Sequence, residues 1–531
     1  MATLPESSRW KRKPVDHCDV VMKGGITSGV IYPRALVELA RHYRFRGMGG
    51  SSAGAIGAAR AVVPARYHAR NARPWTPLFE TGGSVGRQLR VAVHVRDPKG
   101  RPSRIRVERL QPASERGLDV DVVQDLMLHD LDWVTRSLAE EVVSFDRTML
   151  LVAEHTWGLD QKIALPEDRR WGNEDLAELR TTPEGRRFEA SWAEQRAYLD
   201  RAMQLVWGEE GDVRPGAGTF DPPVRTIAAT ATRLAAGWAD RADRADRADG
   251  VEEGLRPVEL GASFTAGPWQ LAISPETGAL VQALHAPSGR VLADQDHPLG
   301  QVHHQSFDES DYCRFFAQLV PSAEDEWWAR WDNTKPGIDA GGARSAPWDL
   351  QPVRAIGRAH AVDGALAEVA VEARFPDEAV ALGAPPTVWT VWSLAPSGDL
   401  ALDVLWPDKP ATRLPEATWC SFVPIVAEPA RWELDKLAQR VSPLDVVRRG
   451  GRSLHAVGEG MHYDGPDGHL TIATSSAPLV APGRPNLLDA DPPVPDLDGG
   501  FHVLLHDNCW GTNFPMWNQG PAAFSFSISV G

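Results

Sequence analysis

The sequence predicts a multidomain protein with a short α/β segment at its N-terminus, a helical middle and a large C-terminal antiparallel β-sandwich. Three observations carry this prediction: a glycine-rich strand-and-helix pattern first, then apolar residues at helical spacing, then many short alternating stretches. The predicted parts are an α/β segment at 1–70, a connecting region at 71–142, a helical region at 143–238, a charged linker at 239–255 and the sandwich at 256–531.

The composition excludes several classes of protein. A chain of 531 residues with 43% hydrophobic and 24% charged residues is globular and long for one domain. No apolar run approaches the ~18–20 residues that span a membrane. The net charge of -15 disfavours a nucleic-acid partner, and four scattered cysteines exclude a disulfide scaffold and fit a reducing compartment. Because no secretory signal is visible, we expect a cytoplasmic protein.

The first 70 residues differ in charge from the remainder and read as strand, loop, helix, strand, turn and helix. They hold 12 Lys and Arg against 4 Asp and Glu, although the whole chain is acidic. A short apolar strand at 18–22 ends at a glycine pair, and a second strand at 45–48 leads into another glycine-rich turn. A helix rich in small residues follows at 55–63. This pattern predicts a βαβα unit.

The middle of the chain is less regular. Residues 103–109 alternate and predict an exposed strand, and a helix is predicted over 188–207. Residues 239–249 repeat Ala-Asp-Arg three times, which allows either a solvated linker or a helix with charge pairs four residues apart. We favour the linker.

The C-terminal part contains short alternating stretches separated by Gly, Pro and Asp, without intervening helices. Such a pattern is typical of a β-sandwich. The predicted strands are 366–375, 388–394, 400–405, 470–473, 501–505 and 523–530. Its many tryptophans are expected to serve as packing surfaces.

A G-x-S-x-G motif is the sharpest chemical signal in the sequence. In Gly50-Ser51-Ser52-Ala53-Gly54 the serine follows a predicted strand and precedes a predicted helix. The glycines Gly50 and Gly54 would allow the sharp turn that exposes the Ser52 hydroxyl at a helix N-terminus. An upstream glycine-rich loop at 24–29 could supply backbone amides for an oxyanion hole. The alternative is an ordinary tight turn between strand and helix.

Residues 18–63 resemble the start of a patatin-like phospholipase domain, through 19–33 and the motif above. The resemblance implies an α/β lipid acyl hydrolase with a Ser–Asp dyad, in which Ser52 is the nucleophile. It assigns Gly24, Gly25 and Gly29 to the oxyanion loop. The family places its aspartate before two small residues, and Asp498 is the candidate here. Because Asp498-Gly499 falls in the predicted sandwich, it can also be read as a hairpin turn.

Residues from about 143 to 531 resemble a bacterial family related to zinc-dependent α-mannosidases, the family-38 glycoside hydrolases. The stretches that carry this resemblance are 150–160, 192–200 and 505–517. It implies that His155 is a remnant of the zinc site. The catalytic barrel, which needs roughly 250 residues, has no room in the chain. The one His-x-Asp, at His462 and Asp464, is predicted to be a loop, so we expect no metal and no other cofactor.

Two hypotheses about function follow. The favoured one is a serine ester hydrolase that acts on lipid esters, in solution or at a membrane surface. The alternative is a glycoside-hydrolase-like protein that binds carbohydrate, or is inactive, because it lacks its catalytic barrel.

Overall fold

The computed structural model describes the sandwich almost completely and the N-terminal part only in strands. The described residues are 17–22, 44–50, 92–96, 102–106, 144–145, 147–149, 151–152, 157–165, 169–207, 213–214, 218–219, 223–246, 254–320, 334–359, 366–436, 439–446, 450–474, 476–490, 492–510 and 514–531. The chain divides into two compact units. The first comprises Met1–Trp157 and Ser191–Pro223, and the second comprises Gly158–Ala190 and Val224–Gly531.

In the first unit, three pairs of strands are described. The strands β1 (His17–Met22) and β2 (Arg44–Gly50) pair in parallel, which confirms the two predicted strands. The strands β3 (Ala92–Arg96) and β4 (Pro102–Arg106) form an antiparallel pair, so a strand is present in the first part of the predicted 103–109 stretch. The short β5 (Val213–Arg214) and β6 (Gly218–Thr219) form another.

Six helices are described. They are α1 (Gln161–Ala164), α2 (Asn173–Leu179), α3 (Pro183–Trp207), α4 (Pro223–Asp246), α5 (Glu309–Leu319) and α6 (Asp377–Ala381). Short 3-10 turns occur at Ile338–Gly341, Pro429–Arg431 and Leu497–Gly499. The helix predicted over 188–207 is confirmed, and it begins five residues earlier than predicted, at Pro183.

The Ala-Asp-Arg repeat is not a linker where the structure describes it, because α4 continues through it to Asp246. Trp238 and Ala242 are buried against a sheet, in a cluster that includes Trp389. The Arg244 guanidinium also contacts the Asp240 carboxylate at 3.0 Å, one helical turn away. The linker prediction was wrong because the alanines at every third position of the repeat pack against a sheet. The local sequence does not show that this sheet is there.

The second unit contains a sandwich of two ten-stranded sheets. The strands of sheet 1 are β8 (Phe264–Ala266), β9 (Trp269–Ile273), β10 (Leu280–His285), β11 (Arg290–Ala293), β12 (Leu299–Ser306), β13 (Ala346–Asp349), β18 (Glu416–Phe422), β21 (His455–Ala456), β24 (Leu479–Pro482) and β25 (Phe501–Asp507). Those of sheet 2 are β7 (Leu255–Pro257), β14 (Gln351–Ala359), β15 (Leu366–Arg374), β16 (Thr387–Leu394), β17 (Leu400–Trp406), β19 (Trp432–Lys436), β20 (Gln439–Val441), β22 (Gly460–Gly465), β23 (Gly468–Thr474) and β26 (Ala522–Val530).

All strand pairs within these two sheets are antiparallel. The predicted sandwich is therefore confirmed, and each of its six predicted strands lies within one observed strand or overlaps it closely. The reading of His462 and Asp464 as a loop is wrong, since both belong to β22, which forms a hairpin with β23. The turn signal at Gly465 marks only the end of that strand.

The largest buried cluster draws side chains from both sheets, which defines the inner face of each sheet. On β18, Cys420 and Phe422 belong to this inner cluster, whereas Ala417 and Trp419 belong to a second cluster with Tyr312 of α5. Because side chains alternate along a strand, sheet 1 has an outer face that α5 partly covers.

A glycine bulge sets which residues of β12 face outward. Gly300 has a φ of 72°, and the register with β18 shifts between Leu299 and Gln301. A Cβ on Gly300 would lie 2.6 Å from Trp392 Cζ2 and 2.8 Å from Leu402 Cδ2 of sheet 2. Beyond the bulge, Val302 points to the inner face and Gln301 to the outer face.

We expect Gly300→Ala to lower the free energy of unfolding by about 2–4 kcal/mol, because the new methyl group adds overpacking to the strain of a positive φ. Gly289→Ala is the matched control, because Gly289 has a φ of 70° and its Cβ would meet nothing within 4 Å. That variant should lose only about 1 kcal/mol. Urea unfolding measures both, and equal losses would show that packing against Trp392 is not the cause.

Candidate functional site

Four polar side chains lie together on the outer face of sheet 1. Gln301 of β12, Ser421 of β18 and His502 of β25 are register partners across three neighbouring strands. His303 lies two residues after Gln301 and therefore on the same face. We call Gln301, His303, Ser421 and His502 the outer polar row.

The Ser421 hydroxyl joins the two imidazoles of this row. Ser421 Oγ lies 2.7 Å from His502 Nδ1 and 3.4 Å from His303 Nδ1. The two rings meet edge to face with centroids 6.3 Å apart. Ser421 and His502 are buried, whereas Gln301 and His303 are half-buried, so the row opens to the surface at its β12 end.

Both imidazoles of the row are neutral at physiological pH. Burial, followed by the unfavourable proximity of the His502 and His304 imidazoles to a protonated ring, lowers the pKa of His303 from 6.5 to about 3. Burial lowers the pKa of His502 to about 4, although the Gly483 and Gly499 carbonyls favour its protonated form. The outer polar row is therefore a set of uncharged donors and acceptors.

A second polar group lies on the inner face of sheet 1. His304, Thr418 and His506 are register partners there, and the Glu416 carboxylate accepts hydrogen bonds from Lys409 and from His506 Nε2, the latter at 3.2 Å. We call Lys409, Glu416, His304 and His506 the inner charged cluster.

The backbone around Glu416 is fixed by Asn508. The Asn508 side chain accepts from the Glu416 N–H at 2.9 Å and donates to the carbonyls of Thr412 at 2.8 Å and Leu414 at 2.9 Å. Burial alone would raise the pKa of Glu416, but Lys409, followed by His506 and His304, outweighs it and holds that pKa below its ordinary value. Glu416 is therefore an ionised carboxylate.

His304 completes the inner charged cluster without a direct bond to it. Its Nδ1 lies 2.9 Å from Thr418 Oγ1, and its Nε2 lies 3.7 Å from Glu416 Oε2. Burial lowers the pKa of His304 to about 3, so the ring is neutral. Because His304 and Glu416 have no exposed surface and Lys409 is buried, this cluster is suited to holding the sandwich together rather than to contacting a ligand.

The residues predicted for catalysis do not form a site in the described part of the chain. Gly50 is the last residue of β2. Asp498 is exposed in the 3-10 turn Leu497–Gly499, where its N–H donates to the Asp496 carboxylate at 3.1 Å. The remaining predicted site residues lie outside the described residues, namely Gly24, Gly25, Gly29, Ser52, Gly54 and His155.

The described part of the chain contains no group of three or more His, Cys, Asp or Glu side chains that could hold a metal ion. Nor does any helix within the described ranges combine the length and the hydropathy needed to cross a bilayer.

Sequence reasoning missed the outer polar row entirely. Ser421 lies 118 positions from His303 and 81 from His502 in the sequence, so no local motif contains them. The available signal was the run Gln301-Val-His-His-Gln305, in which polar residues occupy both faces of a strand from a sandwich core.

Comparison with known proteins returns a family model without an assigned function. The model is a domain of unknown function, DUF5054, which matches residues 138–210 and 227–400. An RpoH suppressor from Rhizobium meliloti is 65% identical over 48 residues, which is 9% of this chain and 8% of that protein. The chain thus spans less than a tenth of the length of this curated relative.

Two solved structures share a distant likeness with the chain. An α-mannosidase from Enterococcus faecalis has a TM-score of 0.31 and 10% identity, covering 51% of this chain and 29% of its own length. A galactose mutarotase-like protein from Lactobacillus casei has a TM-score of 0.29 and 10% identity, covering 51% of this chain and 99% of its own length.

The prediction of a patatin-like lipid acyl hydrolase is wrong. The family model that matches the chain is DUF5054, a domain of unknown function. The lipid ester substrate and the role in lipid degradation have no support in these comparisons. The G-x-S-x-G motif misled because a five-residue turn pattern is short enough to arise without its chemistry.

Proposed function

We propose that this chain is a carbohydrate-binding protein whose sandwich binds a neutral sugar at the outer polar row. The observation that supports this is the juxtaposition of an amide, a hydroxyl and two neutral imidazoles on one sheet face, with His303 reaching the surface. A sugar offers hydroxyl groups that both donate and accept. Uncharged side chains with both capacities match it without leaving a buried charge unpaired.

The position of the inner charged cluster also supports an uncharged ligand. Glu416 and His506 of sheet 1 are enclosed on its inner face together with Lys409, and the Glu416 carboxylate binds the other two side chains. The outer polar row is left with neutral groups. This arrangement favours a ligand without net charge over an anionic lipid or a phosphate.

Titration with methyl α-mannoside, followed by tryptophan fluorescence, tests the proposal. We expect saturable binding to the full chain and an approximately tenfold weaker Kd for His303→Ala, since a lost hydrogen bond costs about 1–1.5 kcal/mol. His469→Ala is the matched control, because His469 is an exposed histidine on sheet 2 and should leave Kd unchanged. A flat titration with methyl α-mannoside and with galactose would remove the proposed function.

A further inference from the structure

The outer polar row contains one shared hydroxyl between two imidazoles, and a hydroxyl has only one proton. Ser421 can therefore donate to one ring and must accept from the other. Two directions are possible. Either Ser421 donates to His502 and accepts from His303, or the reverse holds, and the two directions leave opposite groups at the open end of the row.

The distances favour donation from Ser421 to His502. The 2.7 Å separation between Ser421 Oγ and His502 Nδ1 is typical of a hydroxyl donor, and N–H donors prefer about 2.9–3.0 Å. The longer 3.4 Å separation from His303 Nδ1 fits the weaker N–H donor. This assignment makes His502 Nδ1 an unprotonated acceptor.

The surroundings of His502 fit the same direction. Its Nε2 is buried and makes no direct hydrogen bond to the residues that the structure describes. The backbone groups that act on this ring are the carbonyls of Gly483 and Gly499, which can only accept. Because Nδ1 accepts from the Ser421 hydroxyl in this direction, the single proton of neutral His502 belongs on Nε2.

We propose that the outer polar row is a one-way hydrogen-bond chain, from His303 Nδ1–H to the Ser421 hydroxyl to His502 Nδ1, which leaves His303 Nε2 as an acceptor that selects ligand groups able to donate. Among the described residues, the hydrogen bond of the His303 ring is made by Nδ1 and not by Nε2. A sugar hydroxyl can donate to it, whereas an ether or carboxylate oxygen cannot. The direction of the hydrogen-bond chain rests on the structure alone. The selection of ligands rests on the proposed function.

Imidazole ¹⁵N NMR on the histidine-labelled full chain at pH 7.5 tests the direction. We expect His303 as the Nδ1–H tautomer and His502 as the Nε2–H tautomer, with signals assigned by His303→Gln and His502→Gln. Ser421→Ala should release the His303 tautomer from its constraint, and Ser421→Thr, which keeps the hydroxyl, should restore it. Circular dichroism checks that each variant folds. Finding His303 as the Nε2–H tautomer overturns the proposal.

A second measurement tests the selection. Methyl α-mannoside is compared with its mono-O-methyl ethers, which replace one donor each. At least one ether should bind about tenfold more weakly than the parent sugar, and His303→Ala, which has no acceptor there, should bind that ether and the parent equally. If all ethers bind like the parent, the selection is wrong. If the sugar titration is flat but NMR finds the expected tautomers, the proposed function is removed and the direction of the hydrogen-bond chain still stands.

Discussion

Glu416→Ala should lower the free energy of unfolding of the sandwich by about 3–5 kcal/mol, the cost of leaving a buried charge without its partner. Glu416 has no exposed surface and Lys409 has almost none. Without the carboxylate, the hydrogen-bond partner that the described residues leave to the Lys409 ammonium is the Pro410 carbonyl, at 3.2 Å. His506 Nε2 also loses its acceptor. The inner charged cluster would then hold an uncompensated cation between the sheets.

Urea unfolding of the full chain, followed by tryptophan fluorescence, measures this loss. Glu428→Ala is the control, because Glu428 forms its ion pair with Arg431 on the surface, where side chains are about half exposed and a pair contributes little. Glu416→Gln separates charge from shape, since it keeps the side-chain volume and removes only the negative charge. A Glu416→Ala midpoint equal to that of Glu428→Ala would show that the cluster does not stabilise the fold.

The sandwich should unfold steeply as the pH falls from about 6.5 towards 4. Burial, as the largest cause, lowers the pKa of His303 and His304 to about 3 and that of His455 and His502 to about 4. In the unfolded chain these groups take up protons near the ordinary value of 6.5. The unfolded state therefore binds more protons in this window, so stability is fully present above about pH 6.5 and is lost on acidification.

The slope of the unfolding free energy against pH shows whether the buried histidines cause this loss. Four such groups give a slope of up to about 5 kcal/mol per pH unit near pH 5, which is large against a total stability of about 5–15 kcal/mol. His303→Gln should reduce that slope by about 1.4 kcal/mol per pH unit. Gln301→Ala, on the same face and without a titrating group, should leave it unchanged. Urea midpoints between pH 7.5 and 5 measure both variants, and a flat profile contradicts the prediction.

The strands could be predicted from the sequence because apolar and polar residues alternate along a strand that is buried on one side of the sheet. The stretches 400–405 and 523–530 show this, since every second residue of each is apolar and faces the inner cluster. The helix through the Ala-Asp-Arg repeat could not be predicted in the same way. Whether Ala242 is exposed or buried depends on Trp389, which lies on a strand far along the chain.

The candidate site depends even more on distant parts of the sequence. Ser421 meets His303 and His502 only because β18 lies between β12 and β25 in sheet 1, and strand order in an antiparallel sheet is a property of the whole domain. The bulge at Gly300 adds a second requirement, because a shift of one residue would exchange the two faces of β12. Local motifs, such as the one around Ser52, contain neither kind of information.

The geometry of α4 limits how many Ala-Asp-Arg triplets can keep their alanines against the sheet. Each residue of an α-helix turns by about 100°, so a unit of three falls about 60° short of a full turn. Ala239, Ala242 and Ala245 therefore follow a slow spiral around the helix, and together they span about 120°, roughly the width of one apolar stripe. An inserted triplet would carry the next alanine away from the sheet and bring an aspartate or arginine towards it. Length variants of this segment should therefore lose register with the sandwich rather than extend it.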